Sequence, residues 1–172
     1  MERGDLRRYR QHTSRLRLGF SKIRPNIGRH CLSRAGSKKI FELHGNIERN
    51  FCVNCKKHYN EELDFSSGVP ECDCGGLIRP DVVWFGEFLP EDQFRGGEKA
   101  AINADVFFVV GTSAVVYPAA GLVYTAKVSG AVIVEINIEE TEISSSVNYS
   151  YFGKAGEILP VILQKYKKRL GV

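Results

Sequence analysis

Residues 105–113 read DVFFVVGTS, and residues 131–137 read AVIVEIN. Each is a short, mostly apolar run, which is typical of a strand buried on both faces. A helical pattern follows each run, over residues 117–128 and 155–170. Strand, helix, strand and helix in this order predict parallel strands covered by helices. We therefore predict an α/β fold with a partial Rossmann-like, doubly wound parallel sheet.

The ends of these two strands carry small and polar residues, Gly111-Thr112-Ser113 on the first and Asn137 on the second. In open α/β sheets, ligands bind at the carboxyl ends of strands, near helix N-termini that favour phosphate. The amide of Asn137 would suit a ribose hydroxyl. The pattern indicates a nucleotide site, but turn geometry alone also explains a GTS sequence, and there is no G-x-G-x-x-G motif.

Four of the five cysteines form two close pairs separated by sixteen residues. They are Cys52, Cys55, Cys72 and Cys74. Paired spacings in a chain without a secretory signal favour a metal over disulfides, and four thiolates make a closed tetrahedral site for Zn²⁺. We predict a small structural zinc module over about residues 51–78, with buried or oxidised cysteines as the alternative. The glycines at 75–76 give the backbone the freedom that the tighter second pair needs.

Charge divides the chain into two parts. The first 40 residues hold twelve basic and two acidic side chains, whereas the other 132 hold twelve and eighteen. We predict that residues 1–33 are a basic extension without regular structure and that residues 34–172 form the folded domain. A nucleic-acid or organelle-targeting segment is the functional alternative for the extension. On spacing alone, the cysteines also fit a nucleic-acid-binding zinc ribbon, but the acidic balance of the folded part makes nucleic acid an unfavoured partner.

Membrane and export signals are absent from the printed sequence. No apolar run reaches the roughly 18 residues that a membrane span needs, and no apolar segment of a signal peptide follows the basic N-terminus. We expect no membrane partner and a cytoplasmic location.

Six sequence segments follow one another in an order that points to a known family. They read RAGS with FELHGN (34–46), the cysteine quartet, CGGLIRPDVVWFGE (74–87), GTSAVVYPAA (111–120), VEIN (134–137) and GKAGE (153–157). Together they resemble the sirtuins, which are NAD-dependent protein-lysine deacylases. The similarity runs from about Arg34 to the C-terminus, so the resemblance covers about four-fifths of the chain.

The resemblance implies a role for each matching set of residues. His44 corresponds to the family's general base, which accepts a ribose hydroxyl proton near neutral pH. NAD and zinc are implied as cofactors, and an acyl-lysine protein or peptide as the substrate. The implied NAD contacts are Gly111, Thr112, Ser113, Asn137, Ile138, Glu139 and Ala155. The implied substrate contacts, which pair with the peptide backbone and line the acyl-lysine tunnel, are Val83, Trp84, Phe85, Gly86 and Glu87. The implied zinc ligands are the four paired cysteines.

Simpler explanations remain open for two of these sets. A lone histidine before a glycine is more often a plain loop residue than a base, and Trp84 with Phe85 would equally suit a hydrophobic core. The distinction depends on where the fold places these side chains.

The chain also departs from the family pattern. No segment matches the glycine-rich G-A-G-I-S loop that cradles the NAD pyrophosphate, and RPNIG at 24–28 keeps only two residues of the family's T-Q-N-I-D. We expect a catalytic domain without its N-terminal nucleotide-binding segment, weak or absent NAD binding by this chain alone, and a sheet edge open to self-association. A catalytically inactive fragment or zinc-dependent interaction module is the main alternative to a deacylase, ahead of the zinc ribbon.

Overall fold

The computed structural model describes residues 18–21, 36–59 and 63–171. The chain divides into two compact units. The parallel-sheet unit comprises residues 1–23 and 98–172, and the cysteine unit comprises residues 24–97. The described strands are β1 Leu18–Ser21, β2 Gly45–Cys52, β3 His58–Tyr59, β4 Ile78–Val82, β5 Val106–Val110, β6 Val132–Asn137 and β7 Tyr149–Phe152. The described helices are α1 Glu91–Ile102, α2 Gly121–Val128 and α3 Ala155–Leu170.

The parallel-sheet unit contains a four-stranded sheet in the order β1-β5-β6-β7, and every neighbouring pair is parallel. The two apolar runs of the sequence form its central strands, with Val106 opposite Val132 and Val110 opposite Ile136. Both runs therefore end at the same edge of the sheet. The predicted α/β class with a parallel sheet is confirmed.

Helices cover this sheet because its central strands are apolar on both faces. Phe108, Val134 and Ile136 form a buried cluster against the first half of α3, where Ile158 and Ile162 pack. Helix α2 buries Leu122, Val123 and Ala126 and contacts β5 and β6. In the described part of the chain, no helix combines the length and the apolar character that a membrane crossing requires.

The outer strands of the sheet were not predicted from the sequence. Leu18–Ser21 pair with Val106–Val109 as β1, so these four residues differ from the expectation of an extension without regular structure. The open edge of β5 offers unpaired backbone groups that a short strand satisfies, whatever its side chains. The rest of the predicted extension, residues 1–17 and 22–33, lies outside the described residues. Strand β7 forms the other edge through its pairing with β6.

The cysteine unit is built on an antiparallel sheet in the order β3-β2-β4. Strand β2 begins directly after His44 and ends at Cys52, so one strand connects the candidate base with the first thiol. An irregularity in the β2–β4 register lies between Asn46 and Asn50.

Helix α1 carries two adjacent glycines in its middle, Gly96 and Gly97. Glycine lowers helix propensity, so its presence at position 96 needs a structural reason. The structure gives the reason for this glycine: a Cβ at position 96 would collide with the ring of Phe41. The backbone of Glu42 also donates to Gln93 Oε1 at 3.0 Å. The helix thus anchors the segment that leads to His44.

Candidate metal centre and active-site loops

The four paired cysteines converge in the cysteine unit. Their Sγ atoms all lie within 4.8 Å of one another. The separation is 3.5 Å between Cys52 and Cys74 and 3.6 Å between Cys55 and Cys72. Zinc–thiolate bonds of about 2.3 Å in a tetrahedron place sulfurs about 3.8 Å apart. The donor set and its spacing therefore fit Zn²⁺, and a site closed by four thiolates is structural.

Backbone geometry around the cysteines supports this arrangement. Gly76 approaches the thiols so closely that a Cβ there would lie 2.6 Å from Cys52 Sγ and 2.9 Å from the side chain of Asn54. The amide of Cys72 donates to the carbonyl of Gly76 at 2.8 Å, and the amide of Gly75 donates back to the carbonyl of Cys72 at 2.8 Å. Glycine is thus required at position 76 by space as well as by flexibility.

Amide groups also favour the thiolate form of two sulfurs. The backbone N–H of Cys55 lowers the pKa of the Cys52 thiol, and the N–H of Cys74 lowers the pKa of Cys72 to about 6. The pKa of Cys74 is raised to about 11, because the amide of Gly76, which lowers it, is outweighed by the neighbouring sulfurs. A bound metal needs all four thiolates and would supply the positive charge that stabilises them together.

His44 lies in the turn before β2 and is half-buried. Burial lowers the pKa of its imidazole below the usual 6.5. Its carbonyl accepts a hydrogen bond from the amide of Val83 at 3.1 Å, so the turn is joined to the segment after β4. The backbone of His44 is therefore held next to the start of the predicted substrate loop, and the role of its side chain as a base stays a prediction from the resemblance.

A polar clamp fixes the turn that carries His44. Arg49 Nη2 lies 2.7 Å from Glu42 Oε2 and 2.8 Å from Asp81 Oδ2. Gly45, with φ of +72°, donates to the carbonyl of Glu42 at 3.0 Å and packs directly against the backbone of Asp81. A side chain at position 45 would separate the turn from β4.

The predicted substrate loop, residues 83–87, presents aromatic rings to solvent. Trp84 is 55% exposed and Phe85 is 93% exposed, so the core explanation of these two residues is wrong. Glu87 closes the loop by accepting the amide of Trp84 at 2.9 Å and both Nη groups of Arg79. The guanidinium of Arg79 lowers the pKa of Glu87 to about 2. Glu87 thus shapes the loop, the guanidinium of Arg79 lies 5.7 Å from the centroid of the Trp84 ring, and both rings keep surface exposed to solvent.

The GTS segment follows β5 in the parallel-sheet unit. Gly111 has φ of +59°, and its amide donates to the carbonyl of Ile136 at 2.8 Å. Thr112 is buried and its hydroxyl accepts the amide of Ala114 at 3.1 Å, while Ser113 is exposed. The segment therefore forms a fixed turn with one hydroxyl directed outward.

Asn137 joins the two strand ends. Its Nδ2 donates to the carbonyl of Thr112 at 2.9 Å, and its Oδ1 accepts the amide of Ile138 at 2.9 Å. Its amide was expected to suit a ribose hydroxyl, and in the structure it joins the turn after β5 to the residues after β6. Ile138 and Glu139 are exposed next to it, and the amide of Gly153, two residues before Ala155, donates to the carbonyl of Asn137 at 2.7 Å. The implied NAD contacts thus lie at one edge of this sheet.

Two residues with clear structural roles were missed from the sequence. Glu135 is fully buried in the middle of β6, and its only sequence signal is a charge inside an apolar run. Arg49 has no signal at all, because its partners Glu42 and Asp81 lie in other segments of the chain.

Comparison with known proteins places the chain in a family. The model of the Sir2 family matches residues 23–118, more than half of the chain. The chain belongs to the Sir2 family, the sirtuins. The match begins before Arg34, so part of the basic segment belongs to the family region of this sirtuin.

Relatives of known name support the same assignment. The chain is 48% identical over 141 residues to an NAD-dependent protein deacylase of Pyrococcus furiosus, covering 78% of this chain and 56% of that protein. It is 47% identical over 138 residues to NAD-dependent protein deacylase 2 of Pyrobaculum aerophilum, covering 80% and 55%. This sirtuin therefore spans somewhat more than half the length of these curated relatives.

Solved structures of sirtuins have the same fold. A Sir2 homolog in complex with NAD superposes with a TM-score of 0.75 at 40% identity, covering 80% of this chain and 55% of that one. Sir2Tm bound to a propionylated peptide superposes with a TM-score of 0.72 at 40% identity, covering 77% and 58%.

Proposed function

We propose that this sirtuin carries out NAD-dependent deacylation of lysine side chains in proteins. The acyl group would pass to ADP-ribose, with release of nicotinamide and of the free lysine amine. The observation that carries the proposal is the identity of 46–48% to proteins named NAD-dependent protein deacylases across more than three quarters of the chain. The fold, the thiol quartet and the position of His44 agree with it.

His44 is the residue to which we assign proton transfer. Bound NAD would supply the ribose that receives the acyl group, with nicotinamide as the leaving group. Because burial lowers its pKa, the imidazole of His44 is uncharged near neutral pH and able to accept a proton from a ribose hydroxyl. The clamp of Arg49, Glu42 and Asp81 would hold the turn while that proton moves.

The loop over residues 83–87 supports an acyl-lysine peptide as the substrate. Relatives have been solved with an acetylated peptide and with a propionylated peptide. The exposed rings of Trp84 and Phe85 offer an apolar surface for an acyl chain, and an extended peptide backbone would add along the segment. The structural zinc would hold the sheet on which both the turn and this loop are built.

A nicotinamide-release assay tests the proposal. The purified chain is incubated with NAD up to millimolar concentration and an acetyl-lysine peptide, and nicotinamide and the acylated ADP-ribose are quantified by chromatography and mass spectrometry. Because the chain lacks a match to the glycine-rich NAD loop, we expect slow turnover that needs the highest NAD concentrations. Both products should form in equal amounts from the parent and from His58→Ala, whose side chain is exposed on β3, and none should form from His44→Ala. Absence of turnover by a zinc-loaded, folded parent would contradict the proposal and favour the interaction-module alternative.

A further inference from the structure

Glu135 has an environment that the proposed reaction does not explain. Its side chain is fully buried in β6, between Val134 and Ile136, which are 7% and 0% exposed. A carboxylate in such surroundings is strongly destabilising unless its oxygens accept hydrogen bonds. A glutamate at this position therefore needs hydrogen-bond donors that offset the cost of its burial.

Three hydroxyl groups surround this carboxylate. Ser150 of β7, the register partner of Glu135, donates to Oε2 at 2.9 Å. Ser144 donates to the same oxygen at 2.6 Å, and Thr141 donates to Oε1. These three donors satisfy the acceptor oxygens of the buried side chain. Glu135 thus fastens the segment between β6 and β7 to the interior of the sheet.

The fastened segment carries three of the seven predicted NAD contacts. It begins at Asn137, which holds the GTS turn through Thr112. Ile138 and Glu139 follow with exposed side chains, and the chain is held again at Thr141, where the Glu135 contact begins. The amide of Thr141 donates to Ser144 Oγ at 2.9 Å, and the hydroxyl oxygens of the two residues lie 3.5 Å apart. Ile138 and Glu139 thus lie between two residues, Asn137 and Thr141, whose side chains are held by hydrogen bonds.

We propose that Glu135 is a positioning residue for the dinucleotide site. By accepting the hydroxyls of Thr141 and Ser144, it fixes the far end of the segment whose near end is fixed by Asn137. Ile138 and Glu139 are then held in one conformation before NAD arrives, and binding does not have to order them. This inference rests on the proposed function, because it concerns how the chain binds NAD.

The test compares three changes with a matched control. Glu135→Leu keeps the volume and removes every acceptor, Glu135→Gln keeps one acceptor oxygen, and Thr141→Val removes one donor from the loop side. Leucine is close to glutamate in volume, and Thr141, Ser144 and Ser150 are only partly buried, so water can hydrogen-bond to their hydroxyls in its place and the sheet should fold. Glu142→Gln makes the same charge change at an exposed position of the same segment and is the control.

Two measurements are made on each chain. The first is amide hydrogen exchange, in which we expect residues 138–148 to exchange at least tenfold faster in Glu135→Leu while the amides of α2 and α3 keep the parent rate. The second is an NMR titration with NAD, followed at the amides of Ile138 and Glu139. We expect about tenfold weaker binding for Glu135→Leu, a smaller loss for Glu135→Gln and Thr141→Val, and parent affinity for Glu142→Gln.

The outcomes separate this proposal from the proposed function. A parent that shows no response to NAD overturns both. A parent that binds NAD, with Glu135→Leu binding equally well or exchanging equally slowly at residues 138–148, overturns the positioning role alone. Faster exchange together with weaker binding, confined to the Glu135 and Thr141 variants, supports it.

Discussion

The parallel-sheet unit and the cysteine unit hold their candidate sites by different means. The GTS turn and Asn137 rest on β5 and β6, whose side chains Val109, Ile133 and Ile136 are at most 1% exposed. In the cysteine unit, the buried cluster consists of Cys52, Cys72 and Ile78, and two of its three members are thiols. One unit therefore depends on apolar packing, and the other depends on sulfur ligands and ion pairs.

The two units should therefore lose their folded structure after different kinds of change. A packed sheet loses stability in proportion to the apolar volume removed, and it needs no ligand. A small unit with a scarce core gains much of its folding free energy from its metal. Changes in one unit should therefore leave the other unit's site intact, which can be measured residue by residue.

Removal of the metal should have the largest effect. Chelation of zinc, or Cys72→Ala, should unfold residues 51–78, because the four thiols are the centre of that cluster. The amides of β5 and β6 should keep their slow hydrogen exchange. Metal analysis should find one zinc per parent chain and well under one in Cys72→Ala, whereas Cys31→Ala, outside the quartet, should keep it. A parent without zinc would contradict the metal site.

Truncation of a core side chain should affect only the parallel-sheet unit. Ile136→Ala removes a fully buried side chain and should lower the free energy of unfolding by about 2–5 kcal/mol. Ile138→Ala makes the same change at a side chain that is 67% exposed and should cost far less. Denaturant titration checks both, and zinc content should match the parent in each. Equal losses of stability in the two variants would contradict the packing.

Substitution of Gly76 should show how closely the backbone packs against the metal-binding thiols. Gly76→Ala places a methyl group 2.6 Å from Cys52 Sγ, so the thiol has to move and zinc should bind more weakly. Competition with a chromophoric chelator should show at least a tenfold loss of affinity. Gly156→Ala, where a Cβ meets no atom within 4 Å, is the control and should retain zinc. Unchanged affinity in Gly76→Ala would show that the loop adjusts freely.

The change in folding stability with pH that comes from His44 should be the smallest of these effects. Because burial lowers its pKa in the folded chain below 6.5, the unfolded chain takes up this proton first as pH falls. The contribution of His44 to stability is therefore complete above about pH 6.5 and decreases as pH falls toward the folded pKa. An NMR titration of the imidazole should give a pKa below 6.5. A value above 6.5 would imply a carboxylate partner that the structure does not show among the described residues.

The amount that could be predicted from sequence differs between the sites. The cysteine quartet was complete in the sequence, since a thiol pair has few other uses at such spacing. The loop over residues 83–87 was found by resemblance, but its solvent exposure was not, because aromatic residues are equally common in cores. The Arg49 clamp joins three segments and has no local pattern.

The sequence by itself determined the parallel sheet, the metal quartet and the family. These depend on local periodicity and on fixed spacings, which a single chain displays directly. The tertiary structure decided the pairing of β1 with β5 and of β7 with β6, the hydrogen bond of Asn137 to Thr112, and the hydroxyl partners of Glu135. Each of these joins residues that are apart in sequence, and the free energy of such contacts depends on which groups are buried together. Burial is a property of the folded chain, and only the fold shows it.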